Sequence, residues 1–433
     1  MNFPVERTIS FWRNLSKPFY FLLFLYFFLV SVELAYLKIG IFKCRLNLLS
    51  GAAFLMVFFS TFRILRIDKD FLSVALFCLF SMALSAIFGY HLFSCFGFFC
   101  LFIFNYFVFF VLPANLFRCF NPVLVIRLYF LSFIPVGLFA GVQVIGSIFG
   151  LVLPCVSQNI GSWSRGQGFS YEPSFYGLYM TPFAMFYTVR FLLQEKTKRS
   201  VKKLIGSNLL LLFSTSTACF FSYLAALFCL GIMKLHRVIR NTSFSNILWK
   251  VLALVAAFFG LLWVIDPRLI SQGFLKLFWA GVVHHHTFQA RWIWICKYWN
   301  VFLENPVLGT GLGGASAYYV QKNGITTSLN DPNILEAGMA MNVATEVLGS
   351  LGLLGATAFG YFFITIWKNC RKTLRLALTQ EERVDILSLI ISMGVMFFTL
   401  QFSQSIMRPY TWLHVGICIG YMKYLQTKYR SYL

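Results

Sequence analysis

Charge is scarce in this chain, and acid is scarcer than base. Only 12% of the 433 residues are charged, with 14 Asp and Glu against 36 Lys and Arg. With 59% hydrophobic residues, the chain has too little polar sequence to cover a soluble body of this size. The alternation of apolar and polar residues that marks a membrane β-barrel is absent; the apolar runs are continuous. There is no internal repeat of fixed period. The eleven cysteines form no CxxC pair and no Cys/His spacing of a metal site, and nearly all lie inside apolar runs, where they read as small buried apolar residues. Cys155 and Cys296 both fall on outer segments, which leaves a disulfide between them open. Residues 18–37 are too long for the apolar core of a signal peptide and lack a small-residue cleavage site, so they read as a first span.

Long apolar runs are what the chain has. About 20 residues cross the hydrocarbon layer as a helix, and a helix satisfies its own backbone there. Spans are expected near 18–37, 46–62, 71–89, 92–113, 123–153, 174–193, 204–218, 219–235, 250–265, 347–367, 386–403 and 411–424. The fold class is therefore an all-α polytopic membrane protein with about 12 transmembrane helices. The net charge of +22 sits in short basic clusters between the spans. That is the positive-inside pattern, so nucleic acid is not an expected partner, and both termini are expected in the cytoplasm. Ten Lys and Arg fall on the outer side: Lys38, Lys43, Arg45, Arg165, Arg268, Lys276, Arg291, Lys297, Lys322 and Arg408.

Two outer segments stand apart. One is the short loop 154–173. The other is a large loop, 266–346, between spans 9 and 10, longer than a connection requires. Within it, residues 287–304 read as an amphipathic helix with Trp292, Ile295, Cys296, Trp299, Phe302 and Leu303 on one face and Lys297, Asn300 and Glu304 on the other. Such a helix rests on a membrane surface or covers a cavity.

In the short loop, SWSRGQGFSYEPSFYG brings Arg165 and Glu172 to the start of a helix whose first turn holds Pro173. Free N–H groups and a nearby guanidinium suit an anion with several oxygens, and the ionised Glu172 suits a proton acceptor. Arg291 opens the amphipathic helix. Asn305-Pro306 ends it, and Gly309, Gly311 and Gly314 follow with GxGxxG spacing. No strand precedes those glycines, so they make a tight turn or a close chain approach rather than a dinucleotide site. Consecutive His284, His285 and His286 point in different directions on a helix and do not converge on one metal; one of them acting as a base or a phosphate contact remains open. Asn342 and Glu346 share a helix face where the large loop re-enters the membrane, and Arg408-Pro409 lies between the last two spans. Arg165, Arg291 and Arg408 thus fall on one membrane face, against the positive-inside trend.

The arginine before a Trp-rich helix, NPVLGTGLG, the closing NVATEVLGSLGLLG, and GFSYEPSFYG upstream resemble the Wzy-type polymerases of the O-antigen polymerase and ligase superfamily, which are integral membrane glycosyltransferases. The resemblance covers roughly residues 160–360. It implies a GT-C-like bundle in the bacterial inner membrane with a cavity open to the periplasm. It implies a glycan on undecaprenyl pyrophosphate as substrate, no cofactor and no metal. It also implies working partners: membrane lipids, a flippase and a chain-length regulator. By position, Arg165 and Arg291 match the arginines that bind the pyrophosphate, and Arg408 matches more loosely. Ligases carry a His before the Asn of the re-entry motif; here that residue is Met341, followed by Asn342, which favours polymerase over ligase. The base stays open between Glu172, Glu346 and the His run. The rival readings are a ligase acting on lipid A–core and a lipid-linked oligosaccharide flippase.

Overall fold

The computed structural model describes residues 16–39, 42–62, 65–151, 153, 159–160, 163–194, 197–238, 286–322, 342–402 and 406–430. These residues are overwhelmingly helical. Helix α1 is Ser16–Leu29. A short antiparallel hairpin follows, β1 Tyr36–Ile39 and β2 Phe42–Arg45, with Tyr36 opposite Arg45. Then come α2 Leu46–Phe62, α3 Lys69–Ile87 and α4 Leu92–Asn105. A π-helical turn, Tyr106–Val111, joins α4 to α5 Leu112–Cys119. Next are α6 Pro122–Leu131, α7 Phe133–Ile148, a two-residue ladder β3 Asn159–Ile160 with β4 Trp163–Ser164, α8 Pro173–Leu193, α9 Lys198–Leu212 and α10 Thr217–Val238. After the next gap lie α11 His286–Glu304 and α12 Ala315–Lys322, then α13 Val343–Leu374, α14 Gln380–Thr399 and α15 Pro409–Arg430.

The protein is a helical membrane-spanning protein. Five segments among the described residues are long and apolar enough to cross a membrane: Lys69–Ile87, Leu92–Cys119, Pro122–Ile148, Val343–Leu374 and Gln380–Phe402. Shorter apolar stretches lie in α1, α2 and α10. The outer surface of the bundle carries Phe59, Phe80, Phe93, Val123, Ile364 and Trp367, a lipid-like exterior. By contrast α8 and α15 run through the centre and are buried along most of their length. Their neighbours are protein, so they tolerate Thr181, Thr188, Thr411 and His414 inside.

Local chemistry sets the ends. Asp68 and Asn121 cap α3 and α6, and Pro122 and Pro173 take first-turn positions where a missing N–H costs nothing. Thr197 and Thr379 open α9 and α14 through reciprocal capping boxes with Ser200 and Glu382.

The expected first span, 18–37, is overturned in its second half. α1 stops at Leu29, and the chain turns inward so that Glu33 is fully buried. An ionised carboxylate cannot face lipid on a helix, and the turn takes it to a cation instead. The expected spans 204–218 and 219–235 correspond to α9 and α10, but the break between them falls at residues 213–216. The expected span 250–265 and residues 266–285 and 323–341 of the expected loop 266–346 lie outside the described residues.

The two glycine motifs explain each other. α13 is broken at Gly352, whose φ of 62° and ψ of −162° only glycine adopts freely. The turn after α11 fills the break. Thr310 N donates to Gly349 O (3.2 Å) and Gly311 N to Ser350 O (2.8 Å). In return Leu353 N donates to Pro306 O (2.8 Å) and Leu354 N to Val307 O (3.1 Å). The Ser85 hydroxyl, from α3, lies 2.6 Å from Leu308 O and 2.9 Å from Ser350 O. The groups orphaned by the kink thus find partners in the Asn305–Gly311 segment, as buried backbone must. The expected close chain approach at these glycines is what the backbone does, and it clamps α11 onto α13.

Candidate functional site

The loop before α8 is held from three sides. Buried Gln143 of α7 accepts from Gln167 N (3.1 Å) and Gly168 N (2.9 Å) and donates to Gly168 O (3.1 Å). Gly166 N donates to Phe213 O (2.9 Å), in the break between α9 and α10. Glu33 N and Leu34 N both donate to Phe169 O (3.1 and 3.2 Å). So fixed a loop cannot relocate its side chains cheaply, which is what preorganised charge requires.

Arg165 projects from this loop toward the α9–α10 break. Its Nε donates to Thr215 Oγ1 (2.9 Å) and its Nη2 to Thr215 O (3.2 Å). Thr215 has φ of 45°, a left-handed conformation that a β-branched residue rarely holds. Such strain persists only where the surroundings enforce it. Glu172 caps α8 with extended backbone and accepts from the Ser174 hydroxyl (3.0 Å), and Pro173 takes the first helical position as expected.

Arg291, in the first turns of α11, reaches the same place. Burial lowers the pKa of Arg165; Cys219 and Glu172 act on it in the opposite sense, and the neighbouring Arg291 lowers it further. Burial likewise lowers the pKa of Arg291, with Cys219 and Glu172 opposing. Arg165, Arg291, Glu172 and Cys219 are therefore within electrostatic reach of one another. Both arginines are only half exposed. Among the described residues the Arg291 side chain makes no hydrogen bond or ion pair. Two partly desolvated guanidinium groups within electrostatic reach of each other cost free energy until an anion joins them.

Arg408 lies deeper. It is 8% exposed, its Nη1 donates to Glu33 Oε1 (2.8 Å), and its guanidinium carbon sits 3.5 Å above the Phe175 ring in the first turn of α8. Glu172 also acts on it electrostatically. Arg45, at the end of the hairpin, stands 5.0 Å over the Tyr171 ring. Four arginines from distant parts of the chain thus gather round one loop.

The other sequence candidates fall elsewhere. Asn342 caps α13 by accepting from Thr345 N (3.0 Å) and ties it to Gln401 O (2.9 Å). Glu346 is buried in the first turn of α13, where the helix dipole favours a carboxylate. His284 and His285 lie outside the described residues, as does Met341, and His286 is the first residue of α11. Cys155 is likewise outside, and Cys296 is a free, exposed thiol.

The amphipathic helix forms over His286–Glu304, but its apolar stripe points away from the bundle. Trp292, Trp299 and Leu303 are exposed, while Tyr298 and Val301 pack inward, Tyr298 against Gly349 of α13. Glu304 pairs with Lys322 and Tyr318, which fastens α12 to it. Sequence periodicity located the stripe but not its partner.

Sequence reasoning missed Glu33, Thr215 and Cys219. Glu33 carried a usable signal: it is the one charged residue between 18 and 37, and an ionisable group within an apolar run marks function by default. Thr215 carried none, because left-handed backbone at a Thr is invisible in sequence. At the opposite end of the bundle three basic residues are in ion pairs: Arg190 with Asp385 (2.5 Å), Lys423 with Asp68 (2.8 Å) and Lys428 with Glu382 (2.7 Å). No known protein family matches the chain, and no curated protein matches it.

Thr215→Val keeps the branched shape and removes the oxygen that accepts from Arg165 Nε. Hydrogen bonds to charged groups are worth about 1.5–3 kcal/mol, so inorganic pyrophosphate should bind at least about 10-fold more weakly. Calorimetric titration of the purified protein measures this; unchanged affinity would detach Thr215 from the site.

Proposed function

We propose that this protein is a Wzy-type polysaccharide polymerase. It spans the bacterial inner membrane about twelve times with both termini in the cytoplasm. At the periplasmic face it joins oligosaccharide repeat units carried on undecaprenyl pyrophosphate into an O-antigen-like polymer. The observation that carries the reading is Arg291, half-buried, without an acidic partner in ion-pair contact among the described residues, next to Arg165 and Glu172. A diphosphate leaving group supplies the missing negative charge.

The reaction needs little else. The acceptor hydroxyl oxygen attacks the anomeric carbon of the donor sugar. The bond from that carbon to the pyrophosphate oxygen breaks, and the electron pair leaves with the diphosphate. Arg165 and Arg291 meet the charge as it develops, in a site where fixed donors need no reorganisation. The hydroxyl proton passes to Glu172, which sits at the same helix start and is held on one oxygen by Ser174. One displacement inverts the anomeric centre. The exposed apolar stripe of α11 suits contact with the membrane surface from which the lipid carrier rises.

Glu172→Gln tests the proton acceptor. Turnover of lipid-linked donor by purified protein should fall by about 10²-fold or more, the usual worth of a positioned general base. Unaltered turnover would move the base to Glu346 or to the His run at 284–286.

A further inference from the structure

The buried Glu33–Arg408 pair takes no part in the displacement. Glu33 is completely buried, Arg408 nearly so, and Arg408 Nη1 donates to Glu33 Oε1 at 2.8 Å. Glu33 is tied to the site by its backbone as well, since its N–H donates to Phe169 O within the Arg165–Glu172 loop (3.1 Å). The Arg408 guanidinium carbon sits 3.5 Å above the ring of Phe175, three residues after Glu172. Glu33 thus reaches the site loop through its N–H and, through its carboxylate, the Arg408 that packs on the start of α8.

The niche is also incompletely satisfied. Glu33 Oε2, Arg408 Nε and the Tyr410 hydroxyl are buried and have no hydrogen-bond partner among the described residues. Buried polar atoms are nearly always paired, and several orphans in one place signal a site whose polar capacity exceeds its own contacts. A pair kept only for stability would be expected to satisfy itself, because apolar packing does that task as well as a buried ion pair.

We propose that Glu33 is a positioning residue: it holds the Arg408 guanidinium beneath the first turn of α8, and so fixes the diphosphate-binding geometry of Arg165, Arg291 and Glu172. The inference rests on the diphosphate reading above. The substrate class is unchanged, and Glu33 itself touches no substrate.

The sign of one effect separates this role from simple electrostatics. Removing a negative charge near an anion site should tighten anion binding. Glu172→Gln, at the mouth, should therefore bind inorganic pyrophosphate more tightly than wild type. Glu33→Gln removes a charge too, yet it releases Arg408, so pyrophosphate should bind about 10-fold more weakly. Glu33→Asp should recover part of the loss. The measurement is calorimetric titration of inorganic pyrophosphate into the purified full-length protein, with thermal unfolding followed in parallel. If Glu33→Gln fails to fold, the exchanged pair Glu33→Arg with Arg408→Glu restores the ion pair. It should fold, and it should not bind pyrophosphate.

Equal or tighter binding by folded Glu33→Gln, or wild-type binding by the exchanged pair, overturns the role of Glu33. If Arg165→Ala loses binding in the same series, the diphosphate reading survives that result. Wild-type protein that does not bind pyrophosphate overturns the diphosphate reading, and the role of Glu33 with it.

Discussion

Arg165→Ala and Arg291→Ala should each abolish glycan chain extension while leaving the amount of protein in the membrane unchanged. Both side chains are half exposed at the mouth of the bundle, and neither belongs to the packed core. Their loss therefore leaves no large cavity and no buried unpaired acid. Their worth lies in the charge they present to a departing diphosphate. Removing one such preorganised donor costs about 10²–10³ in rate. Two that act on the same phosphates are not additive, so the double variant should be little worse than either single one. Arg291→Lys tests the geometry rather than the charge. A planar fork that meets two phosphate oxygens is not replaced by a point charge, so activity should remain well below wild type. Normal chain-length ladders from both alanine variants would remove the enzymatic reading.

The second large effect is expected at Gly352. A Cβ there would lie 2.3 Å from Val307 O and 2.7 Å from Gly309 N. Gly309, at φ of 67°, faces the same obstruction from Ser350, with the carbonyl carbon 2.4 Å away. Neither backbone can retreat without breaking the reciprocal hydrogen bonds across the kink. Backbone strain alone costs about 1–3 kcal/mol at such a position. Gly352→Ala should therefore lower the thermal unfolding temperature of the detergent-solubilised protein by several degrees. It should also reduce activity, because the same clamp holds α11, and with it Arg291, against α13. An unfolding temperature equal to wild type would show that the clamp is slack.

What the sequence disclosed, and what it withheld, follows the range of the interactions. Arg165, Glu172 and Pro173 are local: a proline in the first turn and a carboxylate before it announce a helix start in any context. That Arg291 approaches them depends on the placement of α11, more than a hundred residues further on, which is fixed by the clamp at Gly309 and Gly352. The glycines were legible as a turn, but their partner strand of contacts was not, since a broken helix in the middle of an apolar run leaves no mark on hydropathy. Glu33 was visible as the one charged residue between 18 and 37, but its partner was not. A window that averages over twenty residues absorbs one acid, whereas the fold bends the chain to bury it against Arg408. The stripe on α11 was read correctly as a stripe. Its direction, outward, is set by which residues fit against Gly349, and Tyr298 fits.

The most direct test of the central claim is the glycan found on the lipid carrier in cells that lack this protein. The account expects a single repeat unit, facing the periplasm, on undecaprenyl pyrophosphate, with long chains restored by the wild-type gene and not by Arg165→Ala or Arg291→Ala. Long polymer persisting on the carrier would contradict it, because chain growth would then proceed without these arginines.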